Sequence, residues 1–235
     1  MLLIGLWECT SKVFPSWPSA TQVAGVLWVS FQDPGFQTAL IGSARRMAIG
    51  YTLVVVIGIS AGMLLGRFRF LDELMGSLAV ATHAIPGAAW VPLAILWFGL
   101  TEQAVIFTIV LGAVGIVVVN TDSGIHDVPP PLVRAARTMG AKGLKFFWYV
   151  VVPAAAPKIV DGLRLAWAFG WRALMAGELI VSVSGLGHLV NVVARTRQID
   201  RLLAIMVLIA IIGALIDGLI FKRIEHGVRV RWGLA

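Results

Sequence analysis

Residues 132–153, LVRAARTMGAKGLKFFWYVVVP, decide how this chain folds. A run of basic and small residues around Gly140 lies between two segments apolar enough to cross a membrane, a pattern read as helix, turn and helix at a membrane surface. Leu132, Ala136 and Met139 recur at helical spacing along one side, while Arg134, Arg137, Lys142 and Lys145 fall elsewhere. The pattern predicts a short helix on the cytoplasmic membrane face, placed to meet a partner. Basic residues alone would serve as a positive-inside anchor, but anchoring requires neither the glycine nor the proline at these spacings.

Working outward, the whole chain of 235 residues is 59% hydrophobic and only 13% charged, with a mean hydropathy of +0.90. A soluble domain of this size has no core large enough to hide that much apolar surface, so the chain is read as an integral membrane protein. Its 25 glycines and 10 prolines, and the absence of alternating polarity, favour an all-α polytopic helical bundle over a barrel. The net charge of +7 gathers at segment ends, which points to lipid headgroups and topology rather than nucleic acid. Cys9 is the only cysteine, which excludes an intrachain disulfide and a thiolate metal site. The segment Leu6-Trp7-Glu8 before it lacks the small residues of a processing site, so the N-terminus is expected to be retained.

In chain order, residues 1–14 are apolar but would reach only about 21 Å against a hydrocarbon core of about 30 Å, a weak first span. Residues 19–46 are mixed, with a turn at Asp33-Pro34-Gly35, and are read as interfacial helices and a loop. Spans are expected over 47–66, 74–100, 105–119, 159–183 and 202–221, giving five, or six with the first segment. The cytoplasmic loop occupies 122–158, its aromatic run Phe146-Phe147-Trp148-Tyr149 at headgroup level, and 184–201 is an external loop or re-entrant segment. This topology puts Lys12, Arg45, Arg46, Arg195, Arg197 and Arg201 outside and Arg172 within the membrane, leaving the rest of the 19 Lys and Arg inside. The bias supports both termini inside with six spans, or five spans if residues 1–14 lie only on the surface.

On the residues Ala135, Ala136, Gly140 and Val150-Val151-Val152-Pro153, the loop resembles the EAA-x3-G-x9-I-x-LP loop of permease subunits of bacterial ABC importers, without gaps. Arg134 stands where that pattern has its acidic residue, so a docking groove here should be acidic or neutral. The resemblance extends from about residue 47 to 231. Ile85-Pro86, Trp90-Val91-Pro92 and Ile95-Leu96-Trp97-Phe98-Gly99 look like the third-helix signature of nitrate, sulfonate and taurine importer permeases. Asn120-Thr121 with Gly124-Ile125, Gly177-Glu178 and Ser184-Gly185-Leu186-Gly187 match the same branch.

The resemblance implies a type I importer transmembrane-domain fold over residues 47–235, preceded by an N-terminal short helix and periplasmic interfacial segment over 1–46. It implies a homodimer, two ATP-binding subunits docking on a coupling helix that includes Arg134, Ala135, Ala136, Arg137 and Gly140, with Pro153 closing the motif, and an external solute-binding protein. It implies multi-pass residence in a bacterial inner membrane, no cofactor on this chain, and ATP and Mg2+ used by the partner ATPase. Its solute is a small oxyanion such as an alkyl sulfonate, taurine or nitrate, with bicarbonate or a thiamine-type pyrimidine precursor as alternatives.

The residues themselves carry no nucleophile motif and no GxxxxGK[ST] phosphate loop, and the four histidines at 83, 126, 188 and 226 are scattered, so no catalytic or metal site is expected. Ionisable groups inside the bilayer cost about 2.5–3.5 kcal/mol each, which makes Arg172 and Glu178 candidates for a pathway. About 240° apart around one helix, they each need a partner from elsewhere. Arg172 suits an anion, since a guanidinium offers a planar fork of donors; a structural pair with Asp217 or with Glu178 of a neighbouring subunit is an equal alternative. His83, Trp90 and Trp97, seven apart, form one stripe on an ideal helix that Pro86 and Pro92 would bend; His83 is its pathway candidate, with packing the competing role. Ser184, Gly185 and Gly187 suit an outer gate or a plain turn. External Arg195, Arg197 and Arg201 suit attraction of anions or an acidic rim on the binding protein, or a solvated loop. The competing function is an ion-gradient transporter or channel working without an ATPase, which explains the intramembrane charges but not the loop; an internal repeat, which such transporters often show, is not seen.

Overall fold

The computed structural model describes Trp7, Glu8, Ser11 and residues 17–231, without the side chains of Arg69, His83, Arg229 and Arg231. Residues 1–14, read above as a weak span, lie mostly outside the described set, as does Cys9. Among the described residues the secondary structure is helical throughout.

Helix α1, Ala20–Ser30, starts on a capping box in which Ser19 and Gln22 each hydrogen-bond to the other's backbone. The predicted turn follows, and Asp33 caps α2, whose first residue is Pro34. Helix α2 then runs unbroken over Pro34–Arg67. This corrects two expectations: the span begins at Pro34 rather than at 47, so the boundary placed after residue 46 falls inside it, and Arg46 is a buried residue of that spanning helix rather than part of an interfacial segment. Polar residues between 37 and 46 mask the helix in a hydropathy reading, although its cap and its periodicity are intact.

Helices α3, Arg69–Ala84, and α4, Val91–Phe98, are joined through Ile85-Pro86 and a single 3-10 turn, Gly87–Trp90, with a bend of 99° across the break. The expected stripe of His83, Trp90 and Trp97 is therefore not a stripe, because the chain changes direction between its first two members. Pro92 sits in the first turn of α4, where its missing N–H costs no hydrogen bond, so the break belongs to Pro86 alone. Helix α5, Glu102–His126, is longer than the 105–119 expected and takes Asn120 and Thr121 into the helix rather than the loop.

Helix α6, Pro130–Thr138, is the short basic helix the sequence predicts. Helix α7, Gly143–Val181, starts far earlier than residue 159, so the loop ends at Lys142. Its second turn widens into a π-turn at Phe147–Val151, just ahead of Pro153. Proline cannot donate to the carbonyl four residues back and its ring crowds that carbonyl; the wider turn makes room. Helix α8, Leu186–Arg195, occupies the stretch expected to be an external loop or re-entrant segment, and α9, Ile199–Val228, is the last span.

Helix α5 is the centre. Gly58, Gly62 and Gly66 of α2, spaced by four, lie against Val117, Thr121 and Ile125 of α5, where a Cβ on any of the glycines would come within 2.8 Å of side-chain carbon. Residue numbers rise together along this seam, so α2 and α5 are parallel. Connecting them, the bent α3–α4 pair must carry the chain back across, which makes it one broken span and gives five among the described residues: four long helices and this pair. Pairing of Gly112 with Ala173, and of Gly162 with Asn120, shows α7 antiparallel to α5. Placing α6 in the cytoplasm then puts α1, the start of α2 and α8 at the outer end.

Candidate functional site

Three places gather the candidate residues. The first is α6 and its turn. Helix α6 ends in a Schellman motif: the N–H of Ala141 bonds to the carbonyl of Ala136 (3.0 Å) and the N–H of Gly140 to that of Arg137 (3.0 Å). Gly140 holds φ +84°, the left-handed conformation this motif needs, and the space around its missing Cβ is open. Here the loop's glycine is required by backbone geometry rather than by a contact. Ala136 is buried against the bundle, whereas Arg134, Ala135 and Arg137 are exposed and Met139 is 81% exposed. The expected face of Leu132, Ala136 and Met139 is thus divided, Ala136 pointing inward and the other two outward. Pro153 lies in α7 behind the π-turn, not on the docking surface.

Asp127, between α5 and α6, pairs with Lys158 of α7. The hydrogen bond from that ammonium, with its charge, holds the Asp127 carboxyl below its ordinary range. This contact fixes the entry to α6 from one side.

The second place is at the outer end. Glu178 of α7 is 0% exposed, and its carboxylate accepts from Arg46 Nε (3.0 Å) and Nη2 (2.7 Å), from the hydroxyl of Ser43 (2.8 Å) and from the backbone N–H of Gly187 (2.9 Å). Arg46, 1% exposed, also donates to the carbonyl of Ser184 (2.5 Å) and to Glu102 of α5 (3.0 Å). Ser43 accepts in turn from the N–H of Leu186 (2.8 Å). Four elements, α2, α5, α7 and the start of α8, therefore meet on one buried ion pair whose donors are nearly all used. Gly185 is packed so closely that a Cβ would stand 2.4 Å from the Glu178 carboxyl. Of Ser184, Gly185 and Gly187, expected as a gate or a turn, the first two lead into α8 and Gly187, in its first turn, donates its N–H to this carboxylate, while the Ser184 carbonyl accepts from Arg46. The partner Glu178 needs is Arg46, which sequence reasoning assigned to the outer interfacial segment; its spacing of three from Ser43 on one apolar helix was the available signal.

The third place is the outward stripe of α7. Leu165, Arg172 and Ile180 are exposed along it, and Arg172 Cζ stands 5.6 Å from the centroid of the Phe169 ring. The next residue, Ala173, is buried against Gly87 of the broken span. The suggested pairing of Arg172 with Asp217 is not found: Asp217 takes a bidentate contact from Arg164, at 2.6 and 2.9 Å, and Arg164 also donates to Glu225 at 2.8 Å. His83 lies in α3, its side chain outside the described set. Arg195 is held by Asn191 of its own helix at 2.9 Å, and Arg201 reaches Gln198 at 3.5 Å. Among the described residues no group of three or more His, Cys, Asp or Glu is placed to hold a metal ion.

Known proteins share this arrangement. The model of the binding-protein-dependent transport system inner membrane component family matches residues 54–230. A putative ABC transporter permease of Methanocaldococcus jannaschii is 38% identical over 74% of this chain, which spans 66% of that relative's length. A bicarbonate transport permease of Synechococcus elongatus is 32% identical over 79% of this chain and 67% of its own. A putative aliphatic sulfonates transport permease of Escherichia coli is 29% identical over 99% of this chain and 89% of its own. Among solved structures, an inward-facing MetNI methionine ABC transporter chain superposes with a TM-score of 0.69 at 19% identity, covering 83% of this chain and 96% of that one, a likeness of fold. With an all-helical bundle of this order and five spans among the described residues, and a matched segment that includes α6 and its glycine turn, the chain belongs to the family of binding-protein-dependent transport system inner membrane components.

Proposed function

We propose that this chain is the non-catalytic membrane subunit of an ATP-driven importer and that two copies form a pathway for a small oxyanion, such as an alkyl sulfonate, taurine or nitrate. Two ATPase subunits, which use ATP and Mg2+, dock on α6, and an external binding protein delivers the solute. The observation that carries this reading is α6: a nine-residue helix held by a Schellman turn between two spanning helices, with its outer side unoccupied by the bundle. Arg134, Ala135 and Arg137 belong to the docking face; Ala136, Gly140 and Pro153 set its shape. ATP-driven approach of the two ATPases moves α6, and α7, one turn away, carries the movement into the membrane as alternating access.

Arg172 is the proposed oxyanion contact. A guanidinium exposed within a spanning helix is costly to place against lipid, so its stripe faces water or protein, as a solute path requires. Relatives named for bicarbonate, sulfonates, nitrate and taurine support an anion. Bicarbonate remains the second reading because a relative named for it is 32% identical. Glu178, with its acceptor sites taken, acts as a positioning residue for the outer turn at Ser184, Gly185 and Gly187 rather than as a solute ligand.

Cysteine at Ala135 should crosslink to a co-expressed ATPase subunit, and Arg172→Gln should lower uptake about tenfold or more while assembly is unchanged. Uptake in proteoliposomes that lack any ATPase would overturn the coupled mechanism in favour of a self-sufficient transporter. Unchanged uptake by Arg172→Gln would remove the anion contact alone.

A further inference from the structure

Beneath α6 lies a pocket of about 380 Å3 that the transport reading does not use. Its walls come from the inner ends of α2 and α5, from α6 and from the first turns of α7. Arg67, Arg137 and His126 line it together with Phe146, Phe147 and Val151, and no carboxylate is among the lining residues. His126 Nδ1 stands 3.2 Å from the backbone carbonyl oxygen of Asp122 and 3.2 Å from its carboxylate. Both arginines are laid on rings: Arg67 Cζ is 5.5 Å from the centroid of Phe68 and 6.0 Å from that of Phe147, and Arg137 Cζ is 5.8 Å from that of Phe146. Among the described residues neither guanidinium has a carboxylate within ion-pair distance.

Cations at the ends of α2 and α6 do serve the carbonyl ends of those helices and the positive-inside rule. Neither role needs two guanidiniums to converge on one concavity with aromatic walls. A guanidinium stacked by its face keeps its edge N–H groups free, and two such edges match the oxygens of a tetrahedral phosphate. The pocket also sits at headgroup depth, since Trp148 and Tyr149 on the adjoining turn are 54% and 80% exposed. Basic pockets between spanning helices on the cytoplasmic side are where anionic headgroups bind.

We propose that this pocket binds a phosphate group, with Arg67 and Arg137 as its two ligands, so that the anion ties α6 to the inner end of α2. The phosphate is either the phosphodiester of an anionic lipid or free phosphate; the chemistry of recognition is the same. Arg137 thereby has a task separate from ATPase docking, and the inference stands on the pocket whatever the solute.

The full chain in detergent micelles is titrated calorimetrically with dihexanoyl phosphatidylglycerol, dihexanoyl phosphatidylcholine and inorganic phosphate. Saturable binding of phosphatidylglycerol is expected, on the order of tenfold weaker in R67Q/R137Q and unchanged in K222Q/R223Q, which removes equal charge elsewhere. Saturation by phosphatidylglycerol alone identifies a lipid site, and saturation by inorganic phosphate as well identifies a site for the free ion. Absence of saturable binding to the unmodified protein, or equal weakening in both double variants, overturns the proposal. Should R67Q/R137Q not fold, phenylglyoxal labelling of the unmodified chain decides: bound ligand must protect Arg67 and Arg137 and leave Arg134 reactive, and equal labelling of all three overturns it.

Discussion

Glu178 and Arg46 show what one pair of side chains does to a membrane bundle. A carboxylate at 0% exposure and a guanidinium at 1% are stable there because each satisfies the other and the remaining donors come from Ser43 and Gly187. Removing one partner leaves the other charged and buried, so Arg46→Ala should lose about 3–5 kcal/mol, read from thermal unfolding in detergent. Replacing both, as R46M/E178L, should recover a large part of that loss; losses that simply add would show that the two do not act as a pair. Gly185→Ala places a methyl group 2.4 Å from the same carboxyl and should lower stability in the same assay, whereas Gly218→Ala, with nothing near its Cβ, should not. Glu178 is visible in the sequence as a costly intramembrane charge. Its partner is not, because Arg46 lies far away in the chain and only the α2–α7 contact brings them together.

Among the elements, the α2–α5 seam and α6 are governed by different kinds of glycine. At Gly62 a Cβ would meet Thr121 Cβ at 2.5 Å and the Val118 carbonyl oxygen at 2.8 Å, so Gly62→Ala must push two spanning helices apart, at a cost of about 1–3 kcal/mol. At Gly140 nothing is in the way, and only the φ of +84° resists a side chain. Gly140→Ala should cost about 1 kcal/mol through backbone strain, with Gly140→Asn milder. If Ala and Asn were equally tolerated, the left-handed turn would not be what the glycine provides. Acid should loosen the same region: Asp127 titrates below the usual carboxylate range, so its tie to Lys158 contributes above that range and is lost as pH falls through the depressed value. Asp127→Asn should remove that part of the acid dependence, seen as hydrogen exchange in α6. The broken α3–α4 span was half legible: Pro86 announces a bend, but whether the chain turns back or crosses is decided by α2 and α5 being parallel.

For the whole molecule, the topology places Met139 and Asp33 on opposite sides of the membrane, so an impermeant maleimide should label Met139→Cys only after the cell is opened and Asp33→Cys before. Labelling of both from one side would contradict the three crossings between them, α2, the α3–α4 pair and α5. Hydrophobicity along the chain, charge at segment ends, the turn at Asp33 and the spacing around Gly140 determined the bundle, its orientation and α6, because these are local or periodic properties that one sequence carries. Helix lengths were underestimated wherever polar residues sit inside a span, as between Gln37 and Arg46, since hydropathy records exposure to lipid and not burial against another helix. The tertiary structure alone decided that Glu178 pairs with Arg46, that Asp217 belongs to Arg164 and that Arg67 and Arg137 share a pocket. Those outcomes depend on which helices touch, and contact between residues 53 to 132 positions apart leaves no periodic trace in the chain.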